Sequence, residues 1–106
     1  MRKVEQQMNE AIRFGRNWSK GNTMVTTIDG DSMVHLHGNH IATINRNGVT
    51  IFDGGWRSVT PKSRLNAIID EFTNPIACGV FQKDYQWFVK DHVITQPFEN
   101  GYHFAS

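Results

Sequence analysis

Between Thr23 and Asp53 the chain alternates. Thr23 to Ile28, Met33 to His37, His40 to Asn45 and Val49 to Asp53 each repeat with period two and are rich in β-branched residues, the pattern of half-buried strands. Asp29-Gly30-Asp31, Gly38-Asn39 and Asn47-Gly48 separate them. Gly and Asn tolerate positive φ, so these breaks read as tight turns and the four runs as an antiparallel meander, with Asn47-Gly48 the strongest hairpin signal.

Helical spacing flanks this stretch. From Met1 to Asn17, Val4, Met8, Ala11 and Ile12 form one apolar stripe among polar residues, which predicts an amphipathic helix. Gly15 and the polar Ser19 to Asn22 stretch are expected to end it, with Phe14 and Trp18 stapling it to the sheet. Gly54-Gly55 releases the chain from the meander, and Thr60-Pro61 predicts a second helix with a hydroxyl N-cap and proline at its first position. Leu65, Ile68, Ile69 and Phe72 recur at helical spacing and must face the core. Asn74-Pro75 stops this helix. Gly79 to Lys83 and Tyr85 to Lys90 read as a second hairpin turning near Lys83-Asp84, and the tail from His92 to Phe104, with Pro97 and Gly101, as one irregular edge strand at most. The expected class is α+β: an antiparallel meander with two helices packed on it, plus a C-terminal β-hairpin.

A chain of 106 residues supports one core, so residues 1–106 are expected to form a single domain. At 39% hydrophobic and 20% charged the composition is that of a globular fold and not of a disordered chain. The single Cys78 forms no internal disulfide and supplies no CxxC pair, which suits a reducing cytoplasm. No apolar run approaches a membrane span, and the first residues lack the apolar stretch of a signal peptide, so a cytoplasmic location is expected. The formal charge of +1 gives little steering toward nucleic acid, and any anion site must be local.

Three constellations carry chemistry. In His35-Leu36-His37-Gly38-Asn39-His40, strand alternation places His35 and His37 on one face, an arrangement open to two zinc ligands. Two ligands are not a site, His40 follows a turn, and Asp53, His92 and His103 have no spacing that implicates them, so no metal is expected. Around Trp56 to Leu65, the cations Arg57, Lys62 and Arg64 surround a helix N-terminus whose own partial charge is positive. A phosphate would resolve that conflict, and so would side chains that simply reach solvent; both readings stay open. The Val80 to Val89 hairpin is rich in aromatics that either fill the core or offer a stacking or contact surface. There is no GxSxG, no HExxH and no obvious Cys–His partnership around Cys78, so the chain is expected to be a binding protein, not an enzyme, and to need no cofactor.

The helix Met1 to Ile12, the strand pair Val34 to Ala42, and Gly55-Trp56-Arg57 followed by Thr60 to Ala67 together resemble small bacteriophage proteins over about the first two-thirds of the chain. The order of helix, antiparallel sheet, second helix and further strands is more distantly similar to the Thoeris anti-defence sponge family, phage proteins that sequester cyclic ADP-ribose signals. That resemblance implies a homo-oligomer in the host cytoplasm enclosing a small cyclic nucleotide without turnover. Residue chemistry then offers Arg57, Lys62 and Arg64 for phosphates, Trp56 or Phe81 as the stacking plane, and Asn39 or His37 for ribose hydroxyls. The alternative is a protein inhibitor or adaptor of a host defence enzyme, using the Phe81 to Phe88 hairpin as its contact surface.

Overall fold

The structure, a computed structural model, describes residues 1–105. Its elements run α1 (Lys3–Arg13), β1 (Trp18–Lys20), β2 (Thr23–Ile28), β3 (Asp31–Leu36), β4 (Asn39–Asn45), β5 (Gly48–Ile51), α2 (Val59–Phe72), β6 (Cys78–Lys83), β7 (Gln86–Asp91), β8 (Ile94–Pro97) and β9 (Tyr102–Ala105). The expected α+β meander is present, extended at both edges. The main sheet has six strands in the order β1-β2-β3-β4-β5-β9, and β6-β7-β8 form a second sheet. Every pairing is antiparallel.

Three hairpin turns carry positive φ at both central residues, at Asp29-Gly30, His37-Gly38 and Asp84-Tyr85, the geometry whose twist matches flanking strands. The second falls one residue earlier than the sequence predicts, so His37 leaves the strand and does not share a face with His35. At Gly48 (φ 135) an added Cβ would overlap the Phe104 carbonyl, because β9 runs closely past this point. Only glycine fits there.

Register explains the core. Val25, Val34, Ala42 and Ile51 are successive cross-strand partners and all are buried. A register shift between Val34 and His35 lets the consecutive Ile41 and Ala42 both be buried, where strict alternation would expose one of them. α1 packs on β1, β2 and α2, and α2 packs on β4, β5 and β6. Leu65, Ile68 and Ile69 meet Val80, Trp87 and Val89 of the small sheet within one apolar cluster. The opposite face of the main sheet, with Met24, Met33, His35, Thr43 and Thr50, stays partly exposed.

Polar ties fix the helices. Arg64 donates from Nη1 to Glu5 Oε2 (2.8 Å) and from Nε to Thr23 Oγ1 (3.1 Å), while the Ser63 hydroxyl donates to the same Glu5 oxygen (2.6 Å). These bonds join α1, α2 and β2. Asn66 donates to the Val80 carbonyl and accepts the Val80 N–H, both at 2.8 Å, so one side chain completes the edge of β6 as a neighbouring strand would.

Several expectations shift. α1 stops at Arg13 because Gly15 (φ 64) reverses the chain and Arg16 N–H bonds the Ala11 carbonyl, a glycine C-cap. Phe14 is exposed and lies against the Arg13 and Arg16 guanidinium groups; Trp18 alone staples this region to the core. The supposed turn from Ser19 contains β1, an edge strand. α2 starts at Val59 with Ser58 at the N-cap, so Pro61 is its third residue, still within the turn where a missing N–H costs nothing. The tail holds two strands: Pro97 ends β8 at an edge, and Gly101 (φ 89) returns the chain beside β5, its N–H on the Ile51 carbonyl. Among the described residues no helix is long and apolar enough to cross a membrane.

Candidate functional site

A cleft of about 310 Å³ opens at one end of the main sheet. Its floor is Leu36 and Ile41, which the meander buries, and its walls are the His37-Gly38 turn with Asn39, the Asp53 to Ser58 connection, and the first turn of α2. Asp53 organises the connection. Its Oδ1 accepts the Gly55 N–H (2.7 Å), its Oδ2 accepts Arg57 Nε–H (3.0 Å), and its own N–H donates to Asn100 Oδ1 (2.8 Å). Gly54 (φ 70) lets this loop approach the sheet, since an added Cβ would stand 3.0 Å from Ile41 Cγ2. Trp56 is thereby held out at the cleft mouth, 71% exposed.

The electrostatics are mixed. Burial pushes the Asp53 carboxyl up, but the Gly55 N–H, the Arg57 guanidinium and Asn100 outweigh it and hold the group below its ordinary value. The cleft therefore contains an ionised carboxylate. Against it stands the α2 N-terminus, where Ser58 makes no side-chain cap and the first turn holds no acid, so N–H donors and positive partial charge face this region. The arrangement offers a carboxylate that can accept from hydroxyls, a helix N-terminus that favours an anionic group and an exposed indole face for a planar ring.

Of the residues singled out from sequence, the cleft gathers His37, Asn39 and Trp56. Arg57 borders it, but its guanidinium is held by Asp53 and lies over the Phe98 ring, 5.0 Å from the centroid. Lys62 is the fourth residue of α2 and does not line the cleft. Arg64 is 4% exposed and turned to Glu5, so it is a core residue and reaches no ligand here. Phe81 stacks on Phe88 in the small sheet, centroids 5.5 Å apart, outside the cleft. Trp87, a supposed contact residue of the hairpin, is buried edge-on to Phe98.

Compared with known protein families, residues 1–105 match the family described as Kyanoviridae Gp96 protein. The chain belongs to this phage protein family. No curated protein and no solved structure matches it. The phage likeness read from α1, β3–β4 and the start of α2 therefore holds, and it extends over the tail as well.

In this Gp96-family chain the sequence reading also passed over residues that the fold assembles. Asp53 and Ser58 line the cleft without having been assigned a role there; the Asp-Gly-Gly run before an aromatic was the available signal, since Asp readily accepts N–H groups two residues on. A second group went unseen. Cys78 pairs with Asp91 across the β6–β7 hairpin, and His92 follows at once, placing Cys78 Sγ 3.5 Å from Asp91 Oδ1 and 3.9 Å from His92 Nδ1. A turn set at Lys83-Asp84 instead of Asp84-Tyr85 puts Val89 opposite Cys78 and hides this partnership. Burial and the adjacent Asp91 push the thiol up despite a bond from Thr73, so Cys78 stays protonated and is no activated nucleophile. The histidines first weighed as a metal pair are separate: the His35 ring lies against His40, whose Nε2 is within bonding distance of the Ala42 carbonyl and the Thr43 hydroxyl.

Proposed function

We propose that this phage protein is a binding protein that sequesters a small nucleotide signal in the Trp56 cleft without turnover, and so blunts a host defence that depends on that signal. One observation carries the reading: Trp56, Asp53 and the uncapped start of α2 converge on one cleft with an apolar floor. In it the base stacks on Trp56, the ribose hydroxyls bond Asp53, Asn39 or His37, and the phosphate meets the α2 N-terminus. The volume is at the lower end for a drug-sized ligand, and a cyclic ADP-ribose type of molecule fits best if a second copy covers the mouth at Trp56. A homo-oligomer is therefore part of the proposal. Arg64 is not.

The test is recovery of the cargo. The purified protein is incubated with cyclic ADP-ribose isomers and cyclic oligonucleotides, melting shifts are recorded, and bound ligand is released by heat for mass spectrometry. Intact ligand with a raised melting temperature is expected. Trp56→Ala should lower affinity by about 1–3 kcal/mol, the worth of one stacked base, while stability stays within about 0.5 kcal/mol because the side chain is on the surface. A chemically altered ligand would identify an enzyme instead.

A second reading, a protein inhibitor of a host defence enzyme, is favoured by the exposed Tyr85 and the half-exposed Phe81–Phe88 stack on the small sheet. It predicts that Phe81→Ala or Tyr85→Ala abolishes capture of the host enzyme while nucleotides cause no melting shift.

A further inference from the structure

We propose that Cys78, Asp91 and His92 form a binding site for a divalent cation of the zinc class, separate from the Trp56 cleft. The fold brings three donors of different chemistry to one point from residues thirteen and fourteen positions apart. Cys78 opens β6, Asp91 closes β7 directly opposite it, and His92 is the first residue of the turn into β8. Sγ, Oδ1 and Nδ1 all lie within 4.8 Å of one another.

Their separations are close to the edges of a coordination tetrahedron. Sγ to Oδ1 is 3.5 Å, Sγ to Nδ1 is 3.9 Å and Nδ1 to Oδ1 is 2.9 Å. With zinc–sulfur bonds of about 2.3 Å and zinc–nitrogen or zinc–oxygen bonds of about 2.0–2.1 Å, the edges of a tetrahedron run about 3.3–3.6 Å. Each donor pair is within about 0.4 Å of such an edge, a difference that side-chain rotation absorbs. Thiolate, imidazole and carboxylate are the zinc donor set, and magnesium or calcium, which prefer oxygen, are disfavoured.

Two further features fit a metal ligand set better than a chance cluster. The Tyr102 hydroxyl donates to Asp91 Oδ2 (2.8 Å), which orients the carboxylate and leaves Oδ1 for the ion, as outer partners of metal carboxylates do. His92 sits at φ 58, a conformation in which a hairpin favours Gly or Asn. Its backbone N–H is pinned to the Ala77 carbonyl (2.8 Å), and the turn thus presents an imidazole beside Asp91.

The proton balance is simple. Without metal, the thiol S–H donates to Asp91 Oδ1, and His92 Nδ1 stands 2.9 Å from the same oxygen. On binding, the thiol proton leaves to water and the neutral imidazole ligates through Nδ1 with its proton on Nε2. His92 is exposed and Val93 beyond it fully so, which keeps the fourth position open to a water molecule.

Full-length protein stripped with a chelator and reduced is titrated with zinc against a chromophoric competitor, and in parallel with cobalt(II). The expected result is one equivalent bound, with a thiolate-to-cobalt absorption band and the visible bands of a tetrahedral ion. His92→Gly relaxes the turn, so it should keep the circular dichroism spectrum of the parent while losing affinity by more than about 100-fold; Tyr102→Phe should lose about 10-fold, the scale for an outer partner. Zinc affinity unchanged in folded His92→Gly, or cobalt binding without a thiolate band, overturns the assignment and places any bound metal on other surface histidines. Absence of one-equivalent binding to the parent protein overturns it outright.

Discussion

Replacing Arg64 by alanine tests whether this cation serves the core or a ligand. Its guanidinium is bonded to Glu5 at 2.8 Å and to Thr23 at 3.1 Å, with both ionic side chains almost wholly buried. Unit charges about 4 Å apart attract by about 4 kcal/mol at an effective dielectric of about 20. Removing one partner of such a pair leaves the other charge buried and costs about 3–5 kcal/mol, a large share of the roughly 5–15 kcal/mol that holds a domain folded. Urea unfolding followed by tryptophan fluorescence, with the buried Trp87 as reporter, should show that loss in Arg64→Ala. The neutral pair Glu5→Gln with Arg64→Met should recover much of it. Acid unfolding gives an independent sign. Burial pushes the Glu5 carboxyl up, but Ser63, Arg64 and the Arg2 N–H together hold it below its ordinary 4.5. A carboxyl lowered in the folded state contributes stability that is present above the unfolded value and lost as pH falls below it. Asp53 and Asp91 act in the same sense, and Asp70, raised by burial, in the opposite one, so the comparison must be with Glu5→Gln. Stability should fall less steeply below pH 4.5 in Glu5→Gln and in Arg64→Ala than in the parent. A change under about 1 kcal/mol in Arg64→Ala, together with lost nucleotide affinity, would refute the core assignment and return Arg64 to the ligand site.

Two further substitutions test the framework. Gly48→Ala places a Cβ against the Phe104 carbonyl at a φ of 135 and should cost more than about 2 kcal/mol in chemical unfolding, through strain and the displaced β9 edge. Asn66→Ala strips both bonds from Val80 and should cost about 1–3 kcal/mol for the unpaired backbone groups, with faster amide exchange at Val80 as its local readout.

The meander was legible because its four alternating runs and the Gly and Asn residues between them point to one strand order, although the His37-Gly38 and Arg46-Asn47 turns each fall one residue before the sequence signal. Helix α2 was legible for the same reason, its stripe at Leu65, Ile68 and Ile69 being unambiguous. What failed was register. His37 takes a left-handed φ of 52 that its chemistry does not advertise, so the β3–β4 turn moved by one residue and the face expected to hold His35 and His37 together does not form. The same kind of slip at Asp84-Tyr85 concealed the pairing of Cys78 with Asp91. Side-chain period is two, so a small error in a turn reassigns every cross-strand neighbour.

The cleft was half legible. Trp56, Asn39 and His37 were chosen for their chemistry, and the fold does bring them together, whereas Arg64 was chosen for its charge and its partner Glu5 lies 59 residues away. Whether a helical cation meets solvent, a ligand or a buried acid is decided by that distant residue, which no local pattern contains. The tail makes the same point. Read as irregular, it places Asn100 on the Asp53 backbone, Phe98 under Arg57 and Tyr102 on Asp91. One short segment therefore braces both the Trp56 cleft and the proposed metal site. Its Pro97 and Gly101, which counted against regular structure, mark the end of β8 and the bend that makes this bracing possible.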